Sequence, residues 1–150
     1  MNIVLFEPEI PHNTGAIGRT CIVTGAQLHL IRPLGFFLDE KSLKRAGMDY
    51  WQYLNVREYD NFEHFLAENP GIRFHLIETG GTKIYTQANF LPGDFLIFGS
   101  ESKGLPSWLL NQHGEKVISI PMKSGERSLN LSVSAGIVLY EAMRQNNFAW

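Results

Sequence analysis

The sequence predicts an α/β fold, a mainly parallel sheet flanked by helices, and three observations carry that reading. Short apolar runs of strand length recur along the chain, helical patterns separate them, and Gly or Pro breaks fall between the two. Strands joined through helices at this spacing are crossover units, and crossovers pair their strands in parallel. The 150 residues suit one compact domain, expected to span 1–150. A composition of 44% hydrophobic and 19% charged residues is apolar enough for a core and too sparsely charged for a disordered chain.

Asn2–Phe6 reads as a buried strand, four apolar residues after a polar start. Glu7-Pro-Glu-Ile-Pro11 breaks it, because proline cannot donate inside a central strand. Asn13 or Thr14 is placed to cap a helix to about Thr24, with Ile17, Cys21 and Val23–Thr24 on its apolar side and Gly25 as its stop. Gln27–Ile31 is a second strand, Lys41–Ala46 a short basic helix, and Tyr50–Val56 a strand or extended segment. Asp60-Asn61-Phe62-Glu63 has capping-box spacing and opens a helix to Glu68, which Asn69-Pro70-Gly71 stops. Arg73–Glu78 and Asp94–Phe98 are further strands. Pro106 suits a first helical turn, so Ser107–Gln112 is expected to be helical. Lys116–Ile120 is the last strand, before a long helix from about Asn130 to Asn146. No repeat, low-complexity tract or linker is visible.

Several function classes are excluded by what is missing. Gly99-Ser-Glu-Ser-Lys-Gly104 looks at first like a phosphate-cradling loop, but Leu105-Pro106 stands where a nucleotide-binding loop needs Lys and Ser or Thr. The Gly-x-Gly-x-x-Gly dinucleotide pattern and the Gly-x-Ser-x-Gly hydrolase elbow are also absent. Five histidines without a His-x-x-x-His pair, and a single cysteine, leave no metal site to expect. That lone Cys21 permits no internal disulfide, suits a reducing cytoplasm, and falls mid-helix where a small core thiol is expected. No apolar run approaches the roughly 18 residues of a membrane span, and Ile3–Phe6 follows the start with no basic leader. A net charge of -2 argues against indiscriminate polyanion binding but leaves room for a local basic patch.

Ligands of open parallel sheets bind beyond the carboxyl ends of the strands. Three chemically unusual segments fall there: Glu7–Arg19, Gly99–Gly104 and Pro121–Asn130. In the first, Gly15 and Gly18 let a ligand or another backbone approach closely, and Arg19 presents a planar fork of donors for phosphate or ribose. A capped helix whose arginine pairs with a surface carboxylate accounts for the same residues. In the second, glycines at both ends suit a turn passing beside a bound ring, or simply a Gly-rich turn. In the third, Ser128 and Asn130 stand at a helix start, where small polar groups meet a carboxylate or a polar ligand edge. An ordinary N-cap explains one of those two residues.

Taken together and in this order, the segments resemble the signatures of the SPOUT superfamily of RNA methyltransferases, most closely its short TrmL (YibK-like) branch. That branch methylates the ribose 2′-oxygen of the tRNA wobble nucleotide. The resemblance covers essentially the whole chain: Asn2–Gly15, Arg45-Ala46-Gly47-Met48-Asp49-Tyr50, Phe98–Pro106, Ile120–Ser132, and Tyr140-Glu141-Ala142 with Arg144-Gln145. It implies a C-terminal trefoil knot, S-adenosyl-L-methionine as methyl donor with S-adenosylhomocysteine as product, and no metal. It implies cofactor contacts at Ile77, Gly99, Ile120, Ser128 and Leu129, and a catalytic set of Arg19, Asn130 and Glu101. Phosphate and base contacts to tRNA are expected from Lys41, Lys44, Arg45, Lys103 and Tyr140. A homodimer is implied too, built on the first and last helices, with Ala135, Gly136 and Ala142 leaving room for close approach and Tyr140 as an anchor. Ser100, Lys103, Gly80-Gly81 and Val133 depart from the common pattern, which bears on substrate preference: a different tRNA or rRNA ribose, or a non-catalytic RNA-binding relative, are the alternatives.

Overall fold

The computed structural model describes residues 1–39, 41, 42, 48 and 50–149. Its strands are β1 (Asn2–Phe6), β2 (Gln27–Ile31), β3 (Val56–Tyr59), β4 (Phe74–Ile77), β5 (Lys83–Ile84), β6 (Phe95–Phe98) and β7 (Val117–Ser119). The helices are α1 (Pro11–Thr24), α2 (Phe62–Glu68), α3 (Ser107–Gln112) and α4 (Leu131–Gln145). The sheet order is β3-β2-β1-β6-β4-β7-β5, and every pairing is parallel, as expected.

Alternation along each strand sorts the core into two layers. Ile3, Leu5, Leu28, Leu30, Leu96 and Phe98 face α1 and α4 and bury against Ile17, Cys21, Val138 and Leu139. Val4, Phe6, Ile31, Phe95 and Ile97 face the other way, against Phe62, Phe65 and Leu109 of α2 and α3. Such a sheet covered on both faces explains why its strands read as continuous apolar runs. Each fully buried Leu or Ile contributes about 1.5–3 kcal/mol. Among the described residues, no helix is long and apolar enough to cross a membrane.

Several boundaries differ from the sequence expectation, each for a local reason. Helix α1 starts at Pro11, ahead of Asn13 and Thr14, since proline at a first-turn position lacks only an N–H that would be orphaned there. Its end is as expected, at Gly25 in the left-handed region with φ 68°. Val23 is exposed, so of the apolar side expected for α1 only Ile17, Cys21 and Thr24 are buried. The cap of α2 is Asn61, whose side chain accepts the His64 N–H at 2.8 Å, one residue later than Asp60. Tyr50–Val56 is not a strand: Trp51–Tyr53 closes a 3-10 turn through i to i+3 bonds, and β3 begins at Val56. The two-residue β5 was not anticipated, because so short a segment carries no periodicity. Lys41 and Ser42 are helical, whereas residues 43–47 of the expected basic helix lie outside the described residues.

Candidate active site

Sheet order places the carboxyl ends of β6, β4 and β7 side by side, and the loops that follow them wall a cleft of about 580 Å³. Ile77 closes β4, Phe98 closes β6 with Gly99 next in the chain, and Ile120 follows β7. Ser128, Leu129 and Asn130 add the approach to α4. All five residues expected to contact a cofactor therefore line one cleft, with Glu101, Asn130 and Lys103.

The loop after β6 is shaped by backbone meeting backbone. A Cβ on Gly99 would stand 2.0 Å from the Gly104 carbonyl carbon and 2.2 Å from the Leu105 nitrogen. Gly104 has φ 68°, and a Cβ there would meet a Glu78 carboxylate oxygen at 2.4 Å. Both ends of the turn thus require glycine. The Gly104 N–H donates to the Ser100 carbonyl at 2.9 Å, and the Leu105 N–H donates to Glu78 at 2.7 Å. Glu78 also accepts the Thr79 N–H at 2.8 Å, so one carboxylate couples the loops after β4 and β6.

A polar chain then ties these loops to α1. Glu101 accepts the Glu9 N–H at 2.7 Å with one oxygen, and the Ile10 N–H at 3.2 Å and Asn13 Nδ2 at 3.0 Å with the other. It stands where the side chain of Ile10, the N-cap of α1, offers no acceptor, and its charge complements the helix start. Glu9 returns the bond, accepting Ser102 N–H at 3.0 Å and Ser102 Oγ at 2.7 Å. Asn130 Nδ2 donates to Asn13 Oδ1 at 2.9 Å, while Asn130 Oδ1 caps α4 by accepting the Ser132 and Val133 N–H groups. Glu101 and Asn130 are thereby joined through Asn13, and the three segments singled out in the sequence meet at one place. Asn13, Glu9 and Glu78 were missed as site residues; partners 27 positions away for Glu78 and some 90 for Glu9 and Asn13 leave no mark in local spacing.

Arg19 lies elsewhere. It lines a second cleft of about 510 Å³ with His12, Gly15, Tyr50 and Tyr140, on the other side of the first turn of α1. Ile10 and Asn13 face the first cleft and His12 the second, so that turn is the wall between them. The structure does not bring Arg19 into the same cleft as Glu101 and Asn130. Nor does Arg19 pair with a carboxylate among the described residues; its guanidinium carbon sits 4.7 Å over the Tyr50 ring. What stands closest to the glycines of α1 is side chain, not backbone. A Cβ on Gly15 would meet Met48 Cγ at 2.9 Å, and one on Gly18 would meet Leu54 Cδ2 at 2.7 Å. Of the expected RNA contacts, Lys103 borders the first cleft, Tyr140 the second, and Lys41 is exposed. Lys44 and Arg45 lie outside the described residues. Ala135 and Ala142 are buried in the core of the chain itself and are not available to a second copy, whereas Gly136 has open space around it. Cys21 is buried, and desolvation pushes its thiol up to about 12, so it is a core residue as expected.

This geometry has close counterparts. A tRNA (cytidine(34)-2′-O)-methyltransferase from Saccharophagus degradans is 47% identical over 149 residues, covering 99% of this chain and 97% of that protein. A structure solved for insight into the 2-OH methylation of C/U34 on tRNA superposes with a TM-score of 0.91 at 44% identity, covering 99% of this chain and 97% of that one. An AdoMet-bound rRNA methyltransferase from Sinorhizobium meliloti superposes at 0.80 with 28% identity, over 95% of this chain and 55% of that one. The model of the SpoU rRNA methylase family matches residues 1–140, a span that holds every strand, both clefts and the bridge between them. The chain belongs to that family.

Proposed function

We propose that this chain transfers a methyl group from S-adenosylmethionine to the ribose 2′-hydroxyl of the wobble nucleotide, a cytidine or uridine at position 34 of tRNA. Full-length similarity to relatives named for that reaction supports the reading. One geometric observation carries it: the ends of β4, β6 and β7 and the first turn of α1 enclose a single cleft, braced by Asn130, Asn13 and Glu101.

The cleft suits the donor in kind. Ile77, Phe98, Ile120 and Leu129 offer apolar flanks to an adenine, Gly99 keeps backbone within reach of it, and Ser128, Arg127 and Glu78 provide polar groups for the amino-acid end. When bound, the sulfonium supplies an electrophilic methyl carbon with a good leaving group. The protein's task is positioning. Holding a ribose oxygen in line with that carbon is worth up to about 7–11 kcal/mol.

Glu101, Asn13 and Asn130 have their polar atoms committed to one another and to backbone N–H groups. Their role is to fix the two loops against α1. Arg19 grips the ribose–phosphate unit and stabilises the developing alkoxide as an electrostatic clamp. Lys41, Lys44, Arg45, Lys103 and Tyr140 extend the grip on RNA.

A homodimer belongs to the same proposal. Val23 on α1 and Val133 and Tyr140 on α4 are large, exposed apolar side chains on two helices that contact each other. So does the knot, with which the position of β7 between β4 and the earlier β5 is compatible. The enzyme is assigned to the cytosol, where Cys21 remains a thiol.

Nucleoside mass spectrometry of tRNA from cells lacking the gene tests the reading. One ribose methyl at position 34 should disappear, and restoring the gene should return it. Unchanged methylation at that position would overturn the proposal. In vitro, Arg19→Ala should abolish transfer while S-adenosylmethionine affinity by calorimetry stays within about twofold, since Arg19 lies outside the donor cleft.

A further inference from the structure

An arginine on a helix surface has a long stem with many rotamers, and a clamp on a ribose is useful only if its donors are aimed. The usual way to fix a guanidinium is a carboxylate, but a carboxylate occupies the same N–H donors the substrate needs and neutralises the charge. Arg19 is held differently. Its guanidinium carbon lies 4.7 Å from the centroid of the Tyr50 ring, and it has no ion pair among the described residues. A ring beneath the guanidinium covers one face and leaves the in-plane N–H groups available for an anion.

Tyr50 is itself fixed to α1. Its hydroxyl donates to the Gly15 carbonyl, one turn before Arg19. That approach depends on Gly15, since a Cβ there would stand 3.1 Å from the Tyr50 oxygen and 2.9 Å from Met48 Cγ. Gly in a helix interior is unfavourable by roughly 1 kcal/mol relative to Ala, so a helical glycine under this contact needs a local reason, and the tyrosine supplies one. Backbone bonds from Trp51 N–H to Met48 (3.1 Å), Tyr53 N–H to Tyr50 (2.9 Å) and Leu54 N–H to Trp51 (3.0 Å) stiffen the segment that carries it. Leu54 in turn seats against Gly18.

We propose that Tyr50 is the positioning residue for Arg19: anchored on the Gly15 carbonyl, its ring holds the guanidinium by one face so that the free edge meets the ribose–phosphate of the substrate RNA. This rests on the reading that Arg19 contacts the methyl acceptor.

The experiment compares wild type, Tyr50→Phe, Tyr50→Leu and Gly15→Ala in single-turnover methylation of a tRNA transcript, with S-adenosylmethionine affinity measured alongside. Tyr50→Leu removes ring and anchor and should slow transfer about tenfold or more. Tyr50→Phe keeps the ring and should fall between Leu and wild type. Gly15→Ala, which crowds the tyrosine hydroxyl but keeps the ring, should fall between Leu and wild type. Donor affinity should stay within about twofold in all.

Binding of tRNA should show coupling: Tyr50→Leu weakens it in the wild-type background and adds nothing in the Arg19→Ala background. The Arg19 side-chain resonances give a readout independent of catalysis. They should show a ring-current shift in wild type and Tyr50→Phe that vanishes in Tyr50→Leu; should the Leu variant fail to fold, the Phe variant and these shifts still decide. Wild-type transfer rates in Tyr50→Leu, equal losses of binding in both backgrounds, or Arg19 shifts insensitive to the ring would each overturn the assignment. If wild type does not methylate tRNA while the shifts behave as stated, the functional reading fails and the Tyr50–Arg19 contact stands.

Discussion

His29 shows what burial does to a titratable side chain in this fold. It sits in the middle of β2 with Nδ1 2.9 Å from the Tyr59 hydroxyl and Nε2 3.2 Å from Asn2 Oδ1, sealed between Phe65 and Phe95. Desolvation, aided by the Arg57 charge, lowers its pKa from 6.5 to about 4. The native state therefore refuses a proton that the unfolded chain accepts. Stability is complete above the unfolded value and declines as pH falls from about 6.5 towards 4, by up to about 3 kcal/mol. His75, also lowered by burial although Asp94 opposes the shift, adds a change of the same sign. Urea midpoints measured at pH 7.5 and 4.5 should differ markedly in wild type, and His29→Gln should narrow the gap. An equal gap in both proteins would remove His29 as the cause. At this scale the sequence marks unusual loop residues more readily than the partners that hold them. Glu101 and Asn130 were legible as unusual loop residues, yet their bonds to Glu9, Ile10 and Asn13 cross most of the chain. No spacing rule reports such partners.

Among elements, the turn after β6 has the least freedom. Because a Cβ on Gly99 would overlap backbone that no rotamer change can move, Gly99→Ala has to open the turn or displace β6. The loss should reach the upper end of the roughly 1–3 kcal/mol typical of overpacking, with donor binding falling along with it. A melting curve and a calorimetric titration check both; a variant with wild-type Tm and affinity would show that the turn tolerates a side chain. Glycines at 99 and 104 were legible as a sharp turn. Those at 15 and 18 were legible as places of close approach, but what approaches them, the side chains of Met48, Tyr50 and Leu54, is fixed only by tertiary packing. All four helices and the central strands emerge nearly whole from the sequence: apolar runs mark the strands and the long helices, and capping residues and Pro106 mark the short helices α2 and α3. The 3-10 turn at Trp51–Tyr53 did not: three residues of backbone bonding outweighed a strand-like composition.

For the whole molecule, the question is how a chain of net charge -2 would hold the tRNA proposed as its substrate. Two copies related by a two-fold axis would gather two sets of basic residues on one assembly, and the fold has a face suited to that. Val23 is 63% exposed, Val133 50% and Tyr140 43%, on helices that contact each other and otherwise bury their apolar sides in the core. A patch of this kind on a pair of surface helices can be covered isologously, each copy presenting the same residues to the other. Val23→Glu discriminates well, because an exposed position changes monomer stability by only about 0.5 kcal/mol or less, whereas a carboxylate buried at an interface without a partner is strongly unfavourable. Sedimentation should find wild type dimeric at micromolar concentration and Val23→Glu monomeric with native circular dichroism. The monomer should also bind tRNA more weakly and with a shallower salt dependence, since fewer phosphates are neutralised per particle. A wild type that sediments as a monomer, or a Val23→Glu variant that remains dimeric, would mean that this face is not the interface and that one chain's own basic residues must carry the whole grip on RNA.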